Sequence, residues 1–280
     1  MTMEDGSAPA LENLMKSHGN WVLWTSLVTL ALCTSSALGR GPRTDASPEQ
    51  GPTRLPLRQI PADVRESVRQ ILQHPTLFGH GPSESFGGDP EMYRWLLDHP
   101  DRAKIAWRRL GAPCTEITNV GAGYFASNDG RGDEVRWRSV FENGTLRVWF
   151  AEGRVRPAPL LPSVPVRAVI LMRHGKRPDG PDRTVLYHQA DIYVQVDSKT
   201  AALVVKMLGP SLPRLAEEGL RQIEMFYSAL VWYCDQHPER TQKLLVVGNK
   251  AGAEESEPPP ATLFSTPDRR DQSGPTSPIR

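Results

Sequence analysis

The sequence is short of cysteine, of net charge and of catalytic spacing, and each shortage narrows the field. Only three cysteines occur among 280 residues, Cys33, Cys114 and Cys234. No zinc spacing is present, and no metal is expected. Cys33 falls in a hydrophobic leader. Two readings remain for the other pair: a Cys114–Cys234 disulfide in an exported chain, or two buried free thiols. The net charge is +1, with 23% charged residues. Near-neutrality argues against a dedicated nucleic-acid binder, so no nucleic acid is expected as a partner. Arginine greatly outnumbers lysine, which reads as a genome-composition effect rather than a phosphate-binding signal. No repeat of solenoid period is visible. No catalytic motif survives scrutiny, and no cofactor is implied.

One uncharged run is present, residues 21–38. Its apolar part is short for a spanning helix. Ala37 and Gly39 stand at the minus-three and minus-one positions for cleavage before Arg40. A signal peptide is the first reading and an uncleaved membrane anchor the second. Either way the chain is expected to be exported: periplasmic, secreted or held at a membrane through residues 21–38. Met15-Lys16 offers a more ordinary charged start than Met1. The chain thus divides into a leader or anchor (1–39), a flexible linker (40–58), one α+β domain (59–247) and a disordered tail (248–280). The tail carries Pro258-Pro259-Pro260 and few apolar residues.

Within the domain, residues 61–73 read as a short helix with Val64, Val68, Ile71 and Leu72 on one side. Residues 76–86 are a loop or a poor strand, broken by glycines and Pro82. Two short helices follow, 90–97 and 101–110, joined at Asp98-His99-Pro100. Strands are expected over 116–127, 134–141, 145–151, 166–173, 184–196 and 201–208. A helix from Ser211 to about Gln236 closes the order. Its apolar residues recur at three- and four-residue spacing, among them Leu220, Ile223, Phe226, Tyr227, Leu230 and Cys234. His237-Pro238 ends it.

Asn143-Gly144 predicts a two-residue type I′ turn between the second and third strands. That turn pairs Phe141 with Leu146, Ser139 with Val148 and Trp137 with Phe150, all on one apolar face. Arg138, Trp149, Val140 and Arg147 fall on the other, wet face. In the long strand His188 is in phase with Leu186, Ala190 and Ile192, on the apolar face looking toward the helix. Tyr187, Gln189, Asp191, Tyr193 and Gln195 take the opposite face.

This order of elements resembles the START-like, or helix-grip, superfamily of hydrophobic-ligand-binding domains. The resemblance covers residues 76–237 and rests on element order and the wide apolar stripe, not on a motif. It implies an α+β fold in which a curved antiparallel sheet wraps a long C-terminal helix, preceded by short N-terminal helices. It implies a cavity between sheet and helix. The candidate lining is Trp137, Phe141, Val148, Phe150, His188 and Ile192 from the sheet, with Ile223, Phe226, Tyr227 and Leu230 from the helix. The partner expected there is a lipid or other apolar small molecule, in a non-catalytic binding domain. The alternatives are a cell-envelope interaction protein with a filled core, and a hydrolase or phosphatase using His174 or His188. For the last, Arg173-His174-Gly175 looks like the phosphate pocket of the histidine phosphatases, while the bland reading is a strand running into a polar turn. His188 reads either as a ligand-orienting group or as a satisfied core histidine. Membrane contact is expected only through the N-terminal segment, and protein partners are unspecified. Arg131-Gly132-Asp133 matches an adhesion tripeptide by chance.

Overall fold

The structure is a computed structural model that describes residues 55–112, 114–130, 132–156, 163–179, 184–196 and 211–245. The leader, most of the linker, the tail and the strand expected over 201–208 lie outside the described residues. No helix among the described residues is long and apolar enough to cross a membrane.

A 3₁₀ turn (Leu57–Gln59) leads into α1 (Ala62–Gln73). Strands β1 (Leu77–His80) and β2 (Glu84–Phe86) follow, then α2 (Pro90–Asp98) and α3 (Pro100–Arg109). Six strands come next: β3 (Glu116–Asn119), β4 (Tyr124–Asn128), β5 (Glu134–Glu142), β6 (Leu146–Val155), β7 (Val164–Pro178) and β8 (Thr184–Val196). The long α4 (Ser211–Gln236) and a short α5 (Pro238–Leu245) end the described chain. The class is α+β, as expected. Among the described residues, one antiparallel sheet of eight strands runs β1-β8-β7-β6-β5-β4-β3, with β2 also on β8.

Each His-Pro dipeptide ends one helix, as expected for His237-Pro238, and starts the next. His99-Pro100 separates α2 from α3, and His237-Pro238 separates α4 from α5. Proline cannot continue the preceding helix but suits the first turn of the next. The Arg109 guanidinium of α3 donates to the Leu244 carbonyl of α5 at 2.8 Å, which ties the two helix ends together.

Both faces of the sheet are covered. On one face α1 sets Val64, Val68 and Ile71 against Val148, Phe150, Val169 and Leu171. Burying three aliphatic side chains is worth about 5–9 kcal/mol, enough to hold a helix of this length that would not form alone. On the other face Ile170, Met172, Ala190 and Ile192 meet Leu220 of α4. Farther along, α4 packs on α2 and α3, where Trp107 stacks on Phe226 with ring centroids 4.4 Å apart.

Three local readings need correction. Residues 76–86 do form the sheet edge, as two strands split at Gly81-Pro82. The glycines that weaken the strand signal are what let α4 approach: a Cβ at Gly79 would stand 2.6 Å from the Ala216 Cβ. Residues 116–127 are two strands, not one. Gly121, Ala122 and Gly123 all take positive φ (83°, 51° and 74°) and turn the chain between them.

The β5–β6 loop is longer than the two-residue turn expected. The Asn143 backbone N–H donates to the Leu146 carbonyl at 2.9 Å, and the Asn143 Oδ1 accepts from the Leu146 N–H at 2.8 Å. Phe141 therefore pairs with Val148, and a bulge between Ser139 and Phe141 then sets Trp137 opposite Ala151. The register thus moves by two residues, which leaves Phe141, Leu146, Val148 and Phe150 together on one face, as expected. That face packs toward α1 instead of the long helix, so it is the covering layer that differs from expectation. Trp149, expected on a wet face, joins the α4 side. The bulge lets consecutive residues Val140 and Phe141 both serve the α1 core, while Trp137 keeps its place opposite α4.

Candidate functional site

Between the sheet and α4 lies a cavity of about 100 Å³. Trp137, Trp149, Ile170 and Met172 line it from the sheet, and Leu220, Ile223 and Tyr227 from α4. Leu97 and Pro100, at the junction of α2 and α3, close one end. The lining follows from strand period: Trp149 and Ala151 alternate on β6, Ile170 and Met172 on β7, all toward α4. A space of this size suits one small ring or a chain end; benzene occupies an engineered apolar cavity of about 150 Å³.

Of the ten residues put forward from sequence, Trp137, Ile223 and Tyr227 line this space. Ile192 belongs to the same core beside it. Phe226 and Leu230 pack instead among α2 and α3. Phe141, Val148 and Phe150 lie on the opposite face of the sheet. His188 faces the α4 side but sits beyond the cavity, in the row after Ala190. Trp149, Met172, Leu97 and Leu220 were missed. Trp149 alternates with Val148 and Phe150 on β6, and it was missed because their face, not its own, was assigned to the long helix.

His188 is fully buried and joins α2 and β2 directly, and α4 through Glu84. The Tyr93 hydroxyl of α2 stands 3.0 Å from its Nδ1. Its Nε2 stands 3.1 Å from Glu84 Oε2 of β2, and the Ser228 hydroxyl of α4 donates to the same oxygen at 3.0 Å. Burial alone would raise the Glu84 carboxyl, but the bonds from His188 and Ser228 prevail and hold it below the ordinary range. An ionised carboxylate only accepts, so Nε2 carries the hydrogen, and in the neutral ring Nδ1 accepts from Tyr93. Both ring nitrogens are thus satisfied, by side chains rather than by backbone or water.

His174 is paired with His188 across β7 and β8. It is buried, and its Nε2 has no hydrogen-bond partner among the described residues. Burial, with the charges of Arg147, His188 and Arg94, pulls it down to about 4, so the ring is neutral at physiological pH. The phosphatase reading fails on this geometry. Arg173 and His174 are neighbours in the middle of β7 and point to opposite faces, where Arg173 donates to Asp191 at 2.7 Å. They cannot converge on one phosphate. The adhesion tripeptide is equally unavailable at its acidic end: Asp133 is buried and accepts from the Arg156 N–H at 2.7 Å. Cys114 and Cys234 are free thiols.

Arg147 is the largest of the fully buried side chains. Its guanidinium lies 2.5 Å from Asp98 and 2.6 Å from Glu142, and sits 5.9 Å from the Trp149 ring centre. Burial opposes its charge, but the two carboxylates prevail and raise its pKa. In register it stands opposite Met172, which lines the cavity.

No protein-family model matches the chain, and no curated protein matches its sequence. Solved structures give distant likenesses. A conserved protein from Geobacillus kaustophilus is 14% identical, over 51% of this chain and 95% of that one, with a TM-score of 0.30. A hypothetical protein from Helicobacter pylori is 11% identical, over 64% and 99%, with a TM-score of 0.33. The di-domain ARO/CYC BexL from the BE-7585A biosynthetic pathway is 12% identical, over 61% and 52%, with a TM-score of 0.31. Scores this low carry no argument about what the chain does.

Proposed function

We propose that the chain is a non-catalytic binding domain of the helix-grip kind, exported through residues 21–38, that holds a small apolar molecule between its sheet and α4. The observation that supports this is the cavity itself: two tryptophans, a methionine and branched aliphatics around about 100 Å³. Close packing is the rule in protein interiors, and voids larger than a water molecule are few per domain. Size also bears on the ligand. Pockets for drug-sized molecules enclose roughly 300–1,000 Å³, so a whole lipid exceeds this space and a single ring does not.

The test is titration of the chain with toluene, followed through the fluorescence of Trp137 and Trp149. Saturable binding is expected, and it should vanish in Ala168→Leu, which fills the space from the sheet side. Native mass spectrometry of protein purified from its host without detergent would show a bound molecule directly. Toluene binding that survives the filled variant sinks the proposal. No uptake by the wild type sinks it too, and favours the filled-core interaction protein.

A further inference from the structure

We infer that the ligand of this cavity carries one neutral oxygen acceptor, such as a ketone, ester or ether, and that the Tyr227 hydroxyl donates to it. The inference rests on the apolar-ligand reading above and adds the chemistry of the ligand's polar end.

Tyr227 is buried on α4 and lines the cavity. Its ring packs edge-on against Phe226 with centroids 5.4 Å apart. Its hydroxyl makes no hydrogen bond among the described residues, whereas the equally buried Tyr93 is bonded to His188. A buried tyrosine normally finds a partner for its hydroxyl. The other polar side-chain groups of the cavity lining are the half-buried Ser127 hydroxyl, the indole N–H groups of Trp137 and Trp149, which only donate, and the weakly accepting Met172 sulfur. Ser127 apart, the lining offers no side-chain oxygen to accept from the Tyr227 hydroxyl.

The surrounding charges select the kind of partner. Burial is the main influence on the Tyr227 hydroxyl and keeps it protonated. Among the charges acting on it Arg147 comes first, ahead of Asp101 and Asp98. A cationic ligand is disfavoured because the cavity lining holds no carboxylate to pair with it. An anionic ligand is disfavoured for a separate reason. Arg147 is already paired with Asp98 and Glu142, so a carboxylate would enter an apolar space with no free countercharge and two acidic groups nearby. A neutral acceptor satisfies the hydroxyl without bringing in charge.

The experiment uses the full chain and its Tyr227→Phe variant with three probes: cyclohexanone, methylcyclohexane and cyclohexanecarboxylate, titrated by ligand-observed NMR. Tyr227→Phe should weaken cyclohexanone at least tenfold and leave methylcyclohexane within twofold. Its thermal midpoint should equal or exceed that of the wild type, because the lost hydroxyl had no protein partner. Equal responses of cyclohexanone and methylcyclohexane to Tyr227→Phe overturn the inference while the apolar-ligand reading stands. Carboxylate binding tighter than that of cyclohexanone also overturns it. Failure of all three probes to bind the wild type removes both.

Discussion

Gly81 and Glu224 meet across the seam between the sheet edge and α4, and the fit leaves no room for a side chain at residue 81. A Cβ there would lie 2.8 Å from both carboxyl oxygens and 3.0 Å from the Ala190 carbonyl. Gly81→Ala should therefore cost about 1–3 kcal/mol, as overpacking does. Chemical denaturation measures this, and pairing the change with Glu224→Ala should recover part of the loss, since the two residues share one contact. Additive losses would mean that the contact is not what excludes the side chain.

Glu224 is itself 1% exposed. Its Oε1 accepts the Ala190 N–H at 2.5 Å, and its Oε2 has no partner among the described residues. Burial, with Glu84 and Asp191 nearby, pushes the carboxyl up from 4.5 to about 8. The folded state keeps this proton at pH values where the unfolded chain has lost it. Glu224 thus contributes stability at low pH that is lost as pH rises from about 4.5 to about 8, at up to about 1.4 kcal/mol per pH unit. Glu224→Gln should remove that slope and be more stable than the wild type at pH 8. A constant difference between the two across this range would refute the assignment.

His174 has the opposite sign. Its folded value of about 4 lies below the ordinary 6.5, so the unfolded chain takes up a proton first. Stability contributed by the neutral ring is present above pH 6.5 and lost as pH falls toward 4. His174→Leu should flatten acid unfolding over that interval and cost little at pH 7, since its Nε2 has no partner to lose. Unchanged acid sensitivity in the variant would locate the effect elsewhere.

His188→Leu should be among the most costly single changes in the chain. It strands the Tyr93 hydroxyl in the core and removes one of the two donors to Glu84. Leaving a buried polar group unpaired costs about 1–3 kcal/mol, on top of the lost bonds. Tyr93→Phe should cost about 1 kcal/mol alone, and much less in the His188→Leu background. Urea titrations of the four proteins give the coupling directly; full additivity would show that the bond does not matter.

What could be read from sequence follows the range of the forces involved. The stripe of α4 and the alternation of β8 are local patterns, and they placed Leu220, Ile192 and His188 on the proper face. Trp137 also came out on the α4 side, but only because the bulge between Ser139 and Phe141 turns it away from the face that was assigned to the wrong layer. Phe141, Val148 and Phe150 show the error itself. Asn143-Gly144 carries the signal of a tight turn, yet the Asn143 side chain bonds Leu146 and widens the loop. Glu224 and Ser228 escaped notice because a polar residue on an amphipathic helix looks solvated until the element beside it is known. The glycines of β1 were taken as strand breakers, when their role is to admit α4.

The edge pairing of β1 on β8 has a consequence for how the molecule forms. The strands β3 to β8 make sequential hairpins, whose contacts close over short stretches of chain. The pairing of His80 with Asp191 joins residues 111 positions apart. Loop closure over that distance carries an entropy cost that local hairpins avoid, and contacts of this kind slow folding. The meander is therefore expected to collapse before its edge is sealed. A late arrival of β1 and β2 would also delay the Glu84 carboxylate, and with it the pairing that fixes His188 and Ser228. In the refolding time course, amide protection of β1 and β2 should appear in a slow final phase, after that of β5 to β8.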